Sequence, residues 1–180
     1  MRILLIFLLF VFSASLKAQG DAARYIAKFD TLALEVFNSY GIPASLVLGI
    51  ALQESAAGTS KLCKVKHNHF GTKSRVKSSK AKSGYITAYQ TFDTDEAAYL
   101  QFGESVSRKK YYTALKGNSD YLVWLKAMKK AKYASSSLWV SHVDSMIKRY
   151  NLTRFDAVSS FTPLTPILPE MDTLPVLNKR

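Results

Sequence analysis

The chain has 180 residues, 48% of them hydrophobic, enough for one compact domain with a real core. A formal net charge of +12 at pH 7 favours anionic partners, whether cell-wall polymer, acidic lipid headgroups or nucleic acid, and charge alone does not choose among them. Cys63 is the single cysteine, which excludes an intramolecular disulfide.

In chain order, Met1-Arg2 and the unbroken apolar run Ile3 to Phe12 read as an export signal, with Ala18 as the small residue at a cleavage point. The run is too short to span a bilayer, which takes about 20 apolar residues. Residues 1–18 are therefore assigned to a signal peptide. The mature chain is expected outside the cytoplasm, secreted or in the periplasm or cell envelope, with no stable membrane anchor after cleavage.

From Asp21 to Tyr40, Ile26, Phe29, Ala33, Val36, Phe37 and Tyr40 recur at three- and four-residue steps, one face of a helix. Gly41 stops it, and Pro43 opens a second helix as its first residue. That helix, Pro43 to Ser55, is apolar nearly all round and reads as the buried centre of the fold. Its only charge is Glu54, in the last turn; a charged group among apolar neighbours is paired or functional.

Cys63 on "KLCKVK" has His67 one helical turn on, but no oxyanion-type glycine turn, so it reads as a small buried hydrophobe. Residues 61–84 are basic and polar, and "KSRVKSSKAKSG" has no acid and no interleaved aromatic. It reads as a solvated loop and not as a nucleic-acid platform. "GYITAYQTF" alternates as a short strand of a small β-hairpin.

Three more helices follow. Asp93 or Thr94 caps residues 95–108, with Glu96 in the first turn. Ser119 caps "DYLVWLKAMKKA", with Leu122, Leu125 and Met128 inward. Ser136 or Ser137 caps "LWVSHVDSMIKRYNL", with Leu138, Val143, Met146, Ile147 and Tyr150 inward. Beyond Asp156, prolines at 163, 166, 169 and 175 forbid a helix, so residues 157–180 form an extended Pro-rich tail. The domain proper spans residues 19–156.

The segments "YGIPASLVLGIALQES", "GTSKL…HNHFGTK", "YQTFDTDEAAY" and "KKYYTAL", in this order and spacing, resemble the glucosaminidase domain family of bacterial peptidoglycan N-acetylglucosaminidases found in autolysins and flagellar muramidase-like proteins. The likeness runs from about Asp21 to Phe155. It implies a mainly α (α+β), lysozyme-like fold with a buried central helix and a small β-hairpin. It also implies a glycoside hydrolase that cuts the β-1,4 bond after N-acetylglucosamine, with peptidoglycan glycan strands as partner, no nucleic acid, no metal and no cofactor.

The family's catalytic acid falls on Glu54, in agreement with the physical argument: a carboxyl against an apolar helix end has a raised pKa and can protonate a glycosidic oxygen. The resemblance places the cleft tyrosine at Tyr111 or Tyr112, with Tyr111 fitting the spacing to Leu115 better and assigned a catalytic role. Ser55, Asn68, Phe70, Tyr85, Tyr112 and Tyr133 are its expected substrate-binding residues, and Trp139 is a further candidate for sugar stacking.

Two departures from the family pattern matter. Many members carry a second carboxylate in the hairpin, whereas this chain has no Asp or Glu between Glu54 and Asp93. The substrate's own N-acetyl group, or Asp93, Asp95 or Glu96 at the next helix start, then stands in for it, or the domain binds glycan and cleaves it poorly. The alternatives are a lytic transglycosylase acting on the MurNAc-GlcNAc bond, which needs no second carboxylate, and a glycan-binding or assembly module. His67 and His69 replace an Asn and an apolar residue; with no third ligand evident, they read as surface or groove lining and not as a metal site.

Overall fold

The computed structural model describes residues 2–74 and 88–157, with side chains from residue 19 onward. The expected extended tail, apart from its first residue, and most of the basic loop lie outside the described residues. Among those described, the helices are α1 (Arg2–Tyr40), α2 (Ala44–Ser55), α3 (Lys61–Lys66), α4 (Asp95–Ser107), α5 (Tyr112–Leu115), α6 (Tyr121–Lys130) and α7 (Trp139–Arg149), closed by a 3-10 turn, Leu152–Phe155. The fold is mainly α. No helix among the described residues is long and apolar enough to cross a membrane.

Asp21 is not a helix start: α1 runs through it from Arg2, because nothing between Ala18 and Asp21 except Gly20 opposes a helix. Ile26, Phe29, Ala33, Val36 and Phe37 are buried as expected. Gly41, at φ 66°, ends α1 in the left-handed conformation that glycine adopts without strain, and its N–H donates to the Phe37 carbonyl at 2.7 Å. α2 is buried from Ala44 to Leu52 and is enclosed by α1, α6, α7 and the 3-10 turn. Pro43 precedes it and carries no side-chain cap. The end of the domain caps it instead, the Ser45 N–H donating to Asp156 Oδ1 at 2.9 Å.

The caps differ from expectation at α6 and at α7, where Leu138 holds the N-cap position without a side-chain cap and the Ser136 hydroxyl accepts from the Leu138 N–H at 3.2 Å. Thr94 accepts from the Ala97 N–H at 3.0 Å, as expected for α4. For α6 the cap is Asp120 and not Ser119: its Oδ1 accepts from the Leu122 N–H at 2.9 Å, while Asn118 Oδ1 takes the Asp120 N–H. Leu138, expected inward, is 59% exposed, and Trp139 takes the core position. Residues 84–87 of the expected strand lie outside the described residues, and among those described one antiparallel bridge joins Lys73 with Tyr89. Its flanking bonds are Ser74 N–H to Ala88 O and Gln90 N–H to Thr72 O, each 2.9 Å. The next ladder position is taken by a side chain. Asn68 Oδ1 accepts from the Thr72 N–H at 2.9 Å, and its Nδ2 donates to Thr72 O and Gln90 O at 2.8 Å. The amide stands where backbone would pair with backbone, so the ladder ends there.

α2 and α7 approach closely at Gly49, where an added Cβ would lie 2.6 Å from Ile147 Cγ1 and 3.3 Å from Val143 Cγ1. Both neighbours are buried and cannot retreat. Gly49→Ala is expected to destabilise the fold by about 1–3 kcal/mol through overpacking, read by urea denaturation; an unchanged midpoint would contradict it.

Candidate active site

Glu54 sits in the last turn of α2, and the chain leaves that helix sharply. Ala56 and Ala57 are both left-handed at φ 51°, and the turn is closed by Ala57 N–H to Leu52 O at 2.9 Å and Ser60 N–H to Ser55 O at 3.0 Å. Ser55 is fully buried, and its hydroxyl accepts from the Gly58 N–H at 2.9 Å. Its work is to hold the turn that leaves Glu54 at the helix end.

A cleft of about 760 Å³ opens over Glu54. Phe70, Phe102, Tyr133 and Trp139 supply its aromatic wall, and Gly71, Thr72 and Lys73 bring in one side of the Lys73–Tyr89 bridge. Phe70 stacks on Phe102 with centroids 4.2 Å apart and planes 11° apart, and Tyr133 lies 5.1 Å from Trp139. The loop from Ala134 to Ser136 is stapled by Lys129, whose Nζ donates to the carbonyls of Ala134, Ser135 and Ser136 at 3.2, 3.3 and 2.6 Å.

Among the described residues, the Glu54 carboxyl is held on one side only. Trp139 Nε1–H donates to Oε1 at 2.9 Å, and the backbone at Gly71 (φ 63°) comes so near Oε2 that a Cβ there would lie 3.5 Å away. Burial raises the Glu54 pKa above the usual carboxylate value, and the Trp139 hydrogen bond partly opposes it. The negative end of the α2 dipole acts in the same upward direction. Tyr133 is also pushed up, by burial first and then by the neighbouring Glu54 and Tyr111, and burial pushes Tyr111 up to about 12. Both phenols are therefore neutral hydrogen-bond donors across the working pH range.

Of the residues expected at the site, Glu54, Phe70 and Tyr133 line the cleft together. Tyr111 does not line it: its ring meets Trp124 edge-on at 6.4 Å, near enough to Tyr133 to influence its ionisation. Tyr112 is turned elsewhere, its hydroxyl donating to the Tyr40 carbonyl at 2.7 Å. Asn68 is 1% exposed, with its amide committed to the backbone of Thr72 and Gln90. Tyr85 lies outside the described residues. Trp139 appeared in the sequence as a stacking candidate; its tie to Glu54 spans 85 positions of chain and leaves no local signal.

Among the described residues Glu54 is the only carboxylate lining the cleft. Asp95 serves elsewhere, in a smaller cavity of about 290 Å³ shared with Tyr25, Cys63, His67 and His69. His67 Nδ1 lies 2.6 Å and His69 Nε2 3.0 Å from Asp95 Oδ1, and Lys28 Nζ lies 3.2 Å from Oδ2. An ionised Asp95 only accepts, so His69 carries its proton on Nε2 and accepts from the Tyr25 hydroxyl at Nδ1, 2.6 Å away. Tyr99 in turn donates to Tyr25 at 3.1 Å. Cys63 is buried beside His69, and burial, then Asp95, pushes its thiol up to about 11, far from thiolate nucleophilicity. No group of three or more His, Cys, Asp or Glu among the described residues is arranged to hold a metal ion.

This network makes the fold acid-sensitive. Burial lowers the His69 pKa, and Asp95, which burial alone would raise, is held well below the carboxylate range by His69, His67 and Lys28. Both folded-state values are depressed, so both contributions are present above the unfolded pKa values and are lost as pH falls. His69 begins to act below about pH 6.5 and Asp95 below about pH 4. The melting temperature is expected to drop across that range. Asp95→Asn should cost about 2 kcal/mol at pH 7 and flatten the acid limb; an unchanged acid limb in that variant would contradict the assignment.

Residues 30–152 match the glucosaminidase family, described as mannosyl-glycoprotein endo-beta-N-acetylglucosaminidase. Comparison with curated proteins gives no match. Two solved structures share the fold. The catalytic domain of the autolysin Auto from Listeria monocytogenes has a TM-score of 0.61 and 22% identity, over 76% of this chain and 88% of that one. The glycoside hydrolase domain of FlgJ from Salmonella typhimurium has a TM-score of 0.58 and 18% identity, over 76% and 92%.

Proposed function

The chain belongs to the glucosaminidase family, a family of glycoside hydrolases, and from that premise we propose that it is an exported peptidoglycan hydrolase with Glu54 as general acid. The bond cut is the β-1,4 linkage after N-acetylglucosamine. The observation that carries this reading is the Glu54 carboxyl: among the described residues it is alone of its kind in the cleft, partly enclosed, and bonded through one oxygen only. Names of the two fold relatives, an autolysin and a glycoside hydrolase domain, agree with a cell-wall glycan as substrate.

Trp139 donates to Oε1, so Oε1 must accept, and the acid's proton resides on Oε2, beside Gly71. Oε2 gives that proton to the glycosidic oxygen as the C–O bond breaks. No residue between Glu54 and Asp93 can offer a carboxylate, and Asp95 is engaged by two histidines. The acetamido oxygen of the substrate itself therefore attacks the anomeric carbon, forming a cyclic intermediate. Glu54, now ionised, takes a proton from the water that opens it. The aromatic wall from Phe70 to Trp139 binds the sugars, with Tyr133 as the cleft tyrosine and Tyr111 acting through it. Residues 1–18 act as the export signal.

The same lack of a second cleft carboxylate favours one other reading, a lytic transglycosylase in which the sugar's own C6 hydroxyl attacks. Mass spectrometry of digested peptidoglycan separates the two. Reducing N-acetylglucosamine ends are expected; anhydro-muramyl ends would establish the transglycosylase instead. Binding without either product would leave a glycan-binding module.

A further inference from the structure

We propose that Lys109 and Lys132, with Lys73 beside them, form a cationic rim that selects glycan strands bearing free carboxylates, those of the acidic stem peptides of peptidoglycan. The proposal deepens the peptidoglycan reading and rests on it. The three lysines come from three separate places in the chain, the bridge with Tyr89, the turn after α4 and the turn after α6, and all line the Glu54 cleft. All three are exposed, and neither Lys109 nor Lys132 has an ion-pair partner among the described residues.

Their charge is not used on the catalytic acid. No ion pair among the described residues joins any of the three ammonium groups to Glu54, whose one hydrogen bond there comes from Trp139. The backbone at Lys132 adds an independent observation. Its φ is 60°, a left-handed conformation that suits glycine and strains lysine. A long cationic side chain stands at the mouth of the cleft where the backbone alone would favour none. N-acetylated sugars are neutral, and an aromatic wall with a few hydrogen bonds would suffice for them. A surplus of three ammonium groups over one acid fits a ligand that carries negative charge along its length, and exposed lysines on flexible stems reach mobile carboxylates well.

The test uses full-length Glu54→Gln protein and insoluble peptidoglycan, either native or with its carboxyls amidated by carbodiimide and ammonia, in co-sedimentation at low ionic strength. Amidation is expected to weaken binding about tenfold, and added salt to remove the difference. Lys109→Gln/Lys132→Gly in the same background should bind both materials at the weaker level. Lys61→Gln/Lys126→Gln makes the same change in charge away from the cleft and should keep the preference for native material. Lys132→Gly relieves the left-handed strain, so its melting temperature should be no lower than that of the parent, which excludes misfolding as the cause of lost binding. Equal binding of native and amidated peptidoglycan by the parent overturns the rim, as does an equal loss from the control pair. Hydrolysis by the wild-type chain, followed in parallel, reports on the peptidoglycan reading separately. Charge-dependent binding without cleavage removes the hydrolase and keeps the rim, whereas cleavage with charge-blind binding does the reverse.

Discussion

Glu54→Gln is expected to lower kcat on purified peptidoglycan by about 10³-fold, within the range a general acid contributes. Gln matches Glu in shape, and its amide oxygen can still accept from Trp139 Nε1–H at the position of Oε1. The fold and the glycan affinity should therefore remain, and only the proton on the second oxygen is lost. Because no other carboxylate lines the cleft among the described residues, no neighbour can take over the donation. Unchanged wall turnover in this variant, with binding retained, would remove Glu54 from the chemistry.

Trp139→Phe is expected to reduce kcat by about 10- to 100-fold and to move the alkaline limb of the pH–rate profile upward. The indole N–H stabilises the ionised form of Glu54, so its removal raises a pKa that burial has already raised. The acid then stays protonated to higher pH, yet turnover falls because the carboxyl is free to rotate and either oxygen can hold the proton. Phenylalanine keeps most of the packing of a residue that is 4% exposed. A purely structural role predicts a lower melting temperature and an unmoved pH profile. A shifted profile with the melting temperature nearly kept identifies Trp139 as the residue that positions the acid.

Together the two variants divide the site between what one residue does and what another makes possible. Glu54 can be picked out because its surroundings in the chain are so plain: one charge at the end of an apolar run. Trp139 cannot be picked out as its partner, because the hydrogen bond depends on where α7 crosses the end of α2, and no local pattern encodes a crossing. Asn68 follows the same logic in reverse. In sequence it is one polar residue of the turn "HNHFGTK", and the family resemblance implies a substrate-binding role for it. In the fold its amide joins the backbone of Thr72 to that of Gln90 and is buried.

The helices were readable where hydrophobic spacing and turn residues agreed: the inward face of α1, its stop at Gly41, the wholly apolar α2, and Thr94 before α4. Errors fell where adjacent residues compete for one role. Asp120 caps α6 in place of Ser119 because Asn118 turns the chain one residue later, and Trp139 enters the core in place of Leu138. Such choices differ by one residue, about 100° around a helix, and only packing selects between them.

By itself, the sequence determined that one buried helix would end in a lone acid, that no carboxylate would follow it for 38 residues, and that the chain would be strongly basic. These are properties of residue identity and order, which need no contacts to be true. Only the tertiary structure decided what surrounds that acid: Trp139 on one oxygen, Gly71 beside the other, Tyr133 in place of Tyr111 at the cleft, and Asp95 bound to two histidines in a separate cavity. Each of these joins residues far apart in the chain, and burial of the apolar faces of α1, α2, α4 and α7 is the force that brings them together.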